Sequence, residues 1–279
     1  MRRKAWLPAL VLVFLVWSGA EAWEDDLARS IHQAHREGRM VTNPSATRPD
    51  LDLDGAYRVQ TALVQLATRE DGGVMGYKAA LTAPAAWKRF GLTEPVYGVL
   101  TRNMSLPPGA SIRYSDFRRL FVEVEIAFIL GRPITRPPSG LDEIKACVES
   151  AVPAIELPDV RLADLDKMNG TDVVADNTGA AAIIVGPAPA GLKDLAGLGQ
   201  VNFRLLRDDS VIDQGRAAGP SGGPLENLLW LARAVTRRGG RLEKGALVMT
   251  GAMGRMLPAR PGRYLADYGE FGRIEFTIR

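Results

Sequence analysis

Apolar and polar positions change rhythm near residue 74. Ahead of it the spacing is helical. Trp23 to Met40 carries Leu27, Ile31 and Ala34 on one side, and Asp54 to Thr68 repeats Ala56, Val59, Ala62, Leu63 and Leu66. Asp71-Gly72-Gly73 ends the second run, so residues 23–73 are expected to form an α-helical preface. From Val74 the chain breaks into short apolar runs separated by Gly and Pro. These predict strands over 74–81, 95–100, 121–130 and 151–160, and a buried strand ending near Gly186. Short helices are expected over 84–90 and 141–150. A hairpin is expected over 201–218 around Asp208-Asp209-Ser210, and two strands should close the chain at Ile278. Pro224 to Arg238 reads as the clearest helix, with Pro224 in its first turn, Leu225, Leu228, Leu229, Ala232 and Val235 as its stripe, and Gly239-Gly240 as its stop. Many short strands, few helices and no alternation of strand with helix argue for an α+β fold or a mainly-β roll.

One strand stands apart. In FVEVEIAFIL (Phe121–Leu130), Val122, Val124, Ile126 and Phe128 face one way, and Glu123, Glu125, Ala127 and Ile129 the other. Two carboxylates side by side repel unless a cation or a shared proton sits between them. Glu156, in AVPAIELPDV, is a third carboxylate inside an apolar run. Three carboxylates without nearby His or Cys describe a site for Mg²⁺ or Mn²⁺ rather than Zn²⁺; the competing reading is the wet face of an edge strand. Lys78, near the end of VMGYKAAL, suits acid–base or oxyanion work, or else is a surface lysine whose stem lies on apolar neighbours. The polar cluster Asp172, Asp176 and Asn177 beside Gly179 reads first as a turn or cap and second as a substrate contact.

Composition narrows the class. Arg2, Arg3 and Lys4, the apolar run from Ala5 to Trp17 and Ala20-Glu21-Ala22 read as a secretory signal at residues 1–22, cleaved after Ala22. The apolar run is short for a span, which needs roughly 20 residues, so no membrane span is expected after cleavage and the mature chain is expected to be secreted or periplasmic, an uncleaved anchor being the alternative. The net charge of +3 falls to about +1 without that segment, which argues against a nucleic-acid partner. Cys147 is the single cysteine, so no internal disulfide holds the chain. Both histidines, His32 and His35, fall on the first helix, where a solvated face is expected. Their position also removes support for a His-dependent hydrolase, and no Gly-rich phosphate loop occurs.

Seven segments in order, GYKAALT, EPVYGVL, VEVEIAFILGRPI, VPAIELPDVRL, DVVADNTGAA, GPLENLLWLA and VMTGAM, resemble the 2-keto-4-pentenoate hydratase branch of the fumarylacetoacetase-like superfamily. The resemblance implies a mixed β-roll core, a catalytic domain over 74–279, a divalent cation and commonly a homo-oligomer. It places the metal carboxylates on Glu123, Glu125 and Glu156 and the active-site lysine on Lys78. Asp172, Thr250 and Gly251 are expected against the substrate. The implied reaction is hydration of a small 2-hydroxy-dienoate or 2-oxo acid, with decarboxylation of a 2-oxo acid or an exported binding role as alternatives. Val96 and Gly223 stand where this branch often has an acidic residue and a histidine.

Overall fold

The computed structural model describes residues 22–189, 195–219 and 222–279, so the expected leader, apart from Ala22, lies outside them. Its helices are α1 (Ala22–Arg36), α2 (Pro44–Thr47), α3 (Leu53–Asp71), α4 (Pro84–Phe90), α5 (Leu141–Lys145), α6 (Gly170–Ala175) and α7 (Pro224–Arg237). The strands begin with β1 (Val74–Ala80), β2 (Val96–Thr101), β3 (Ser105–Leu106), β4 (Ser111–Ile112), β5 (Phe121–Leu130), β6 (Val148–Leu157) and β7 (Ala182–Val185). They continue with β8 (Asn202–Arg207), β9 (Ser210–Arg216), β10 (Leu247–Met249), β11 (Leu257–Pro258), β12 (Gly262–Asp267) and β13 (Arg273–Ile278).

The larger sheet runs β2-β1-β10-β5-β6-β7-β3, with β11 also paired to β5, and mixes parallel with antiparallel neighbours. The smaller runs β4-β13-β12-β8-β9, its β8–β9 pair being the expected hairpin. Strand β5 sits inside the larger sheet, which rules out the edge-strand reading of its glutamates. Its alternation holds. Val122, Val124, Ile126 and Phe128 enter the main core, while Ala127 joins a second cluster with Val152, Ala154, Ile183 and Met249.

The helical preface forms because its two long helices, α1 and α3, carry apolar stripes, and α3 is also capped at both ends. Asp52 accepts from Gly55 N at the start of α3, and Gly72 closes it with φ 78°. Ala28, Ile31 and Ala34 of α1 and Ala56, Val59 and Leu63 of α3 are buried. Between residues 141 and 150 the helix is one short turn, and β6 starts at Val148, earlier than expected. Helix α6 has only six residues, too few to show a periodicity, and its start is marked by Asn169, whose side chain accepts from Thr171 N and Asp172 N. Among the described residues no helix is long and apolar enough to cross a membrane.

Candidate metal centre beside a buried lysine

Antiparallel pairing of β5 with β6 sets Glu123 directly opposite Glu156, and Glu125 follows two residues along on the same face. One oxygen from each of the three carboxylates lies within 4.8 Å of the others. Lys78 reaches the same face through the register of the sheet. It pairs with Met249 of β10, which pairs with Ala127 of β5, and paired residues share a side. Glu125, Glu156 and Lys78 are buried and Glu123 is half-buried. The lysine ammonium bonds to Glu156 Oε1 and donates to the carbonyl of Thr178 at 3.0 Å. The surface-lysine reading of Lys78 is thereby corrected: the register turns it into the sheet's interior.

Burial, then the charge of Glu156, raises the Glu123 carboxyl to about 8, with Lys78 opposing. Burial and the two neighbouring carboxylates hold Glu125 well above the ordinary range, opposed by Lys78 and the Gly251 N–H. Glu125 Oε1 and Glu156 Oε2 are buried with no hydrogen-bond partner. A buried carboxylate oxygen without a donor is costly, and like charges directly opposite across a ladder are destabilising. A hard divalent cation resolves both, and a donor set made only of carboxylate oxygens suits Mg²⁺ or Mn²⁺. The residues fit the ion.

The neighbouring residues hold this centre together. Gly251 N donates to Glu125 Oε2 at 2.9 Å, and Gly251 has φ 93°, a conformation side chains rarely adopt. The Thr250 hydroxyl donates to Ile126 O at 2.9 Å. Both groups expected to touch substrate are thus committed to β5. Asp172 is held by other partners. Its carboxylate accepts from Ser45 N, Ser45 Oγ and Asn169 N at 2.7–3.0 Å, tying α2 to the start of α6, and it makes no hydrogen bond to Lys78 or the glutamates. Thr178 was not singled out from sequence; its carbonyl is backbone, and only the Asn-Thr-Gly turn signal pointed near it. His35 is not on a solvated face either, because its Nε2 lies 2.6 Å from Asp176 Oδ1. A cleft of about 1140 Å³, lined by Tyr57, Tyr77, Tyr97, Trp230 and Arg238, does not include the carboxylates. Tyr77 and Tyr97 alternate with Lys78 and Gly98, so it opens on the opposite face of β1 and β2.

A mixed-sheet roll carrying three clustered carboxylates against a buried lysine defines the class of protein. The fumarylacetoacetate hydrolase C-terminal family matches residues 74–279, and the chain belongs to that family. It is 32% identical over 238 residues to 2-keto-4-pentenoate hydratase of Paraburkholderia xenovorans, covering 85% of this chain and 88% of that one. It is 29% identical over 254 residues to 2-oxo-hept-4-ene-1,7-dioate hydratase of Escherichia coli, covering 89% and 95%. Among solved structures, 4-oxalocrotonate decarboxylase from Pseudomonas putida G7, complexed with magnesium and adipate, superposes with a TM-score of 0.87. At 24% identity, over 94% of this chain and 99% of that one, this likeness speaks to fold.

Proposed function

We propose that the protein is a divalent-metal-dependent hydro-lyase that adds water to a small 2-hydroxy-dienoate or 2-oxo acid such as 2-hydroxypenta-2,4-dienoate. The observation that carries this reading is the clustered tricarboxylate, with two buried, unpartnered oxygens, against Lys78. The hydratases among its relatives, near 30% identity over most of the chain, favour water addition over decarboxylation.

Glu123, Glu125 and Glu156 would hold Mg²⁺ or Mn²⁺. When bound, such an ion supplies positive charge for a substrate's carboxylate and 2-oxygen, stabilising the enolate-like charge that develops there. Hydration needs the 2-hydroxyl proton delivered to C5 as the ketone forms, then water oxygen added to C4 and a proton to C3. Lys78 is suited to carry these protons. Glu156 and the Thr178 carbonyl take two of its three N–H groups, and among the described residues the third has no acceptor. Gly251 N holds Glu125 in place, and the buried surroundings exclude bulk water.

The test is a spectrophotometric assay of the purified protein with 2-hydroxypenta-2,4-dienoate, in Mg²⁺ and in EDTA. Metal-dependent loss of the dienol absorbance, with formation of 4-hydroxy-2-oxopentanoate, is expected. Turnover that is equal in EDTA would overturn the metal-dependent reading. Residues 1–22 are read, as part of the same proposal, as a leader cleaved after Ala22. N-terminal sequencing of the exported protein should then begin at Trp23.

A further inference from the structure

Asn177, Thr178 and Gly179 are three successive left-handed residues, with φ 50°, 55° and 67°, in the turn between α6 and β7. A β-branched residue such as Thr178 is an outlier there, and such a conformation persists only where the surroundings over-determine it. They do so from both sides. Asn177 bonds the backbone of β2, donating Nδ2 to Val99 O at 2.9 Å and accepting Val99 N at 2.8 Å. The residue that enters the turn, Asp176, is buried, with Oδ1 at 2.6 Å from His35 Nε2 of α1 and Oδ2 at 4.0 Å from Arg161 Nε. Behind it, Gly179 O accepts from Asp159 N at 2.9 Å and Ala180 O from Arg161 Nη2 at 2.8 Å.

What the turn presents is the Thr178 carbonyl, at 3.0 Å from Lys78 Nζ. Strand β2 makes room for it. Gly98 pairs with Lys78 across β1 and β2, and a Cβ on Gly98 would stand 2.2 Å from Thr178 Oγ1. A left-handed turn, pinned on two sides and accommodated by a glycine beside the lysine, is built to place one carbonyl.

We propose that His35 and Asp176 are positioning residues for Lys78, acting through this left-handed turn, so that the N-terminal helical segment belongs to the active centre. The inference rests on the reading of Lys78 as the proton carrier. His35 holds Asp176, Asp176 fixes the entry to the turn, and the turn fixes the acceptor that aims the ammonium. Neither residue touches the reacting atoms.

The experiment compares His35→Gln, Asp176→Asn and the double variant of the full chain in saturating Mg²⁺ with 2-hydroxypenta-2,4-dienoate, beside Lys78→Met. Loss of an outer partner that orients an active group typically costs 10–100-fold. We expect kcat to fall by about 10-fold or more, with KM within about twofold and the melting temperature nearly unchanged. The double variant should be no worse than the weaker single one, because both break the same link. A crystal structure of His35→Gln should show Lys78 Nζ withdrawn from Thr178 O. Unchanged kcat, a fall in kcat that tracks lost thermal stability, or a retained Lys78–Thr178 bond would each overturn the inference. Lys78→Met keeps the two readings apart. Full turnover in that variant sinks the proton-carrier role and this inference with it. A dead Lys78→Met beside a fully active His35→Gln sinks only the positioning role.

Discussion

Glu123 and Glu156 face each other across β5 and β6, with Glu125 alongside, and two of their buried oxygens have no donor. A sheet designed only for stability would not carry that arrangement. Replacing Glu123 by Gln removes one charge at nearly constant shape. In EDTA the melting temperature of Glu123→Gln is expected to equal or exceed that of the parent, because repulsion is relieved. Mn²⁺ binding by calorimetry should weaken at least tenfold and turnover should fall at least 100-fold, as expected for loss of a ligand and of its charge. A variant that binds Mn²⁺ and turns over like the parent would remove the metal reading. These three residues were legible in sequence for a physical reason. Strand parity places Glu123 and Glu125 on one face, and Glu156 is conspicuous in an apolar run. Asp172 is harder to read, because a carboxylate beside a turn looks the same whether it caps a helix or meets a ligand, and its bonds to Ser45 and Asn169 lie outside any local window.

The long elements follow from spacing, and the short ones do not. Strand β5 keeps its predicted bounds and its two faces, α7 ends one residue before Arg238, and α3 runs past Thr68 to Asp71, where Gly72 stops it. Strands of two residues, such as β3, β4 and β11, and the single turns of α2 and α6 exist because neighbours pair with or cap them, which no local window contains. Lys78 was ambiguous for the same reason. Its environment is set by β10 and β5, about 170 and 50 residues away. The close approach of β2 to the left-handed turn makes the element-scale prediction. Gly98→Ala must push Thr178 or Asn177 aside, since its Cβ would stand 2.2 Å and 2.9 Å from their oxygens. Overpacking of this kind costs about 1–3 kcal/mol. Urea unfolding should show a loss of that size, with a disproportionate fall in kcat because Lys78 pairs with the substituted residue. An alanine accepted at no cost to either would mean that the approach is looser than its geometry.

For the whole molecule the centre links stability to pH and to metal. The folded chain raises Glu123 to about 8 and Glu125 well above the ordinary carboxylate range, whereas both return near 4.5 on unfolding. Between those limits the folded state holds protons that the unfolded state releases, so stability falls as pH rises. The contribution is fully present below about 4.5 and is lost as pH climbs through the folded values. In EDTA the melting temperature should therefore drop from pH 6 to pH 8, and Glu123→Gln, which lacks one of the titrating groups, should drop less. Millimolar Mg²⁺ should act in the opposite direction. The ion competes with protons for the carboxylates, so its stabilisation grows with pH, reaching about 4 kcal/mol where it exceeds its dissociation constant a thousandfold. Scanning calorimetry of both proteins, in EDTA and in Mg²⁺ at pH 6 and pH 8, reads all of these effects at once. The decisive comparison is the gap between the Mg²⁺ and EDTA melting temperatures of the parent protein. A gap that widens with pH, and shrinks in Glu123→Gln, puts proton and cation on the same carboxylates. A gap that is absent, or indifferent to pH and to the substitution, would mean that these three glutamates are not where the cation binds.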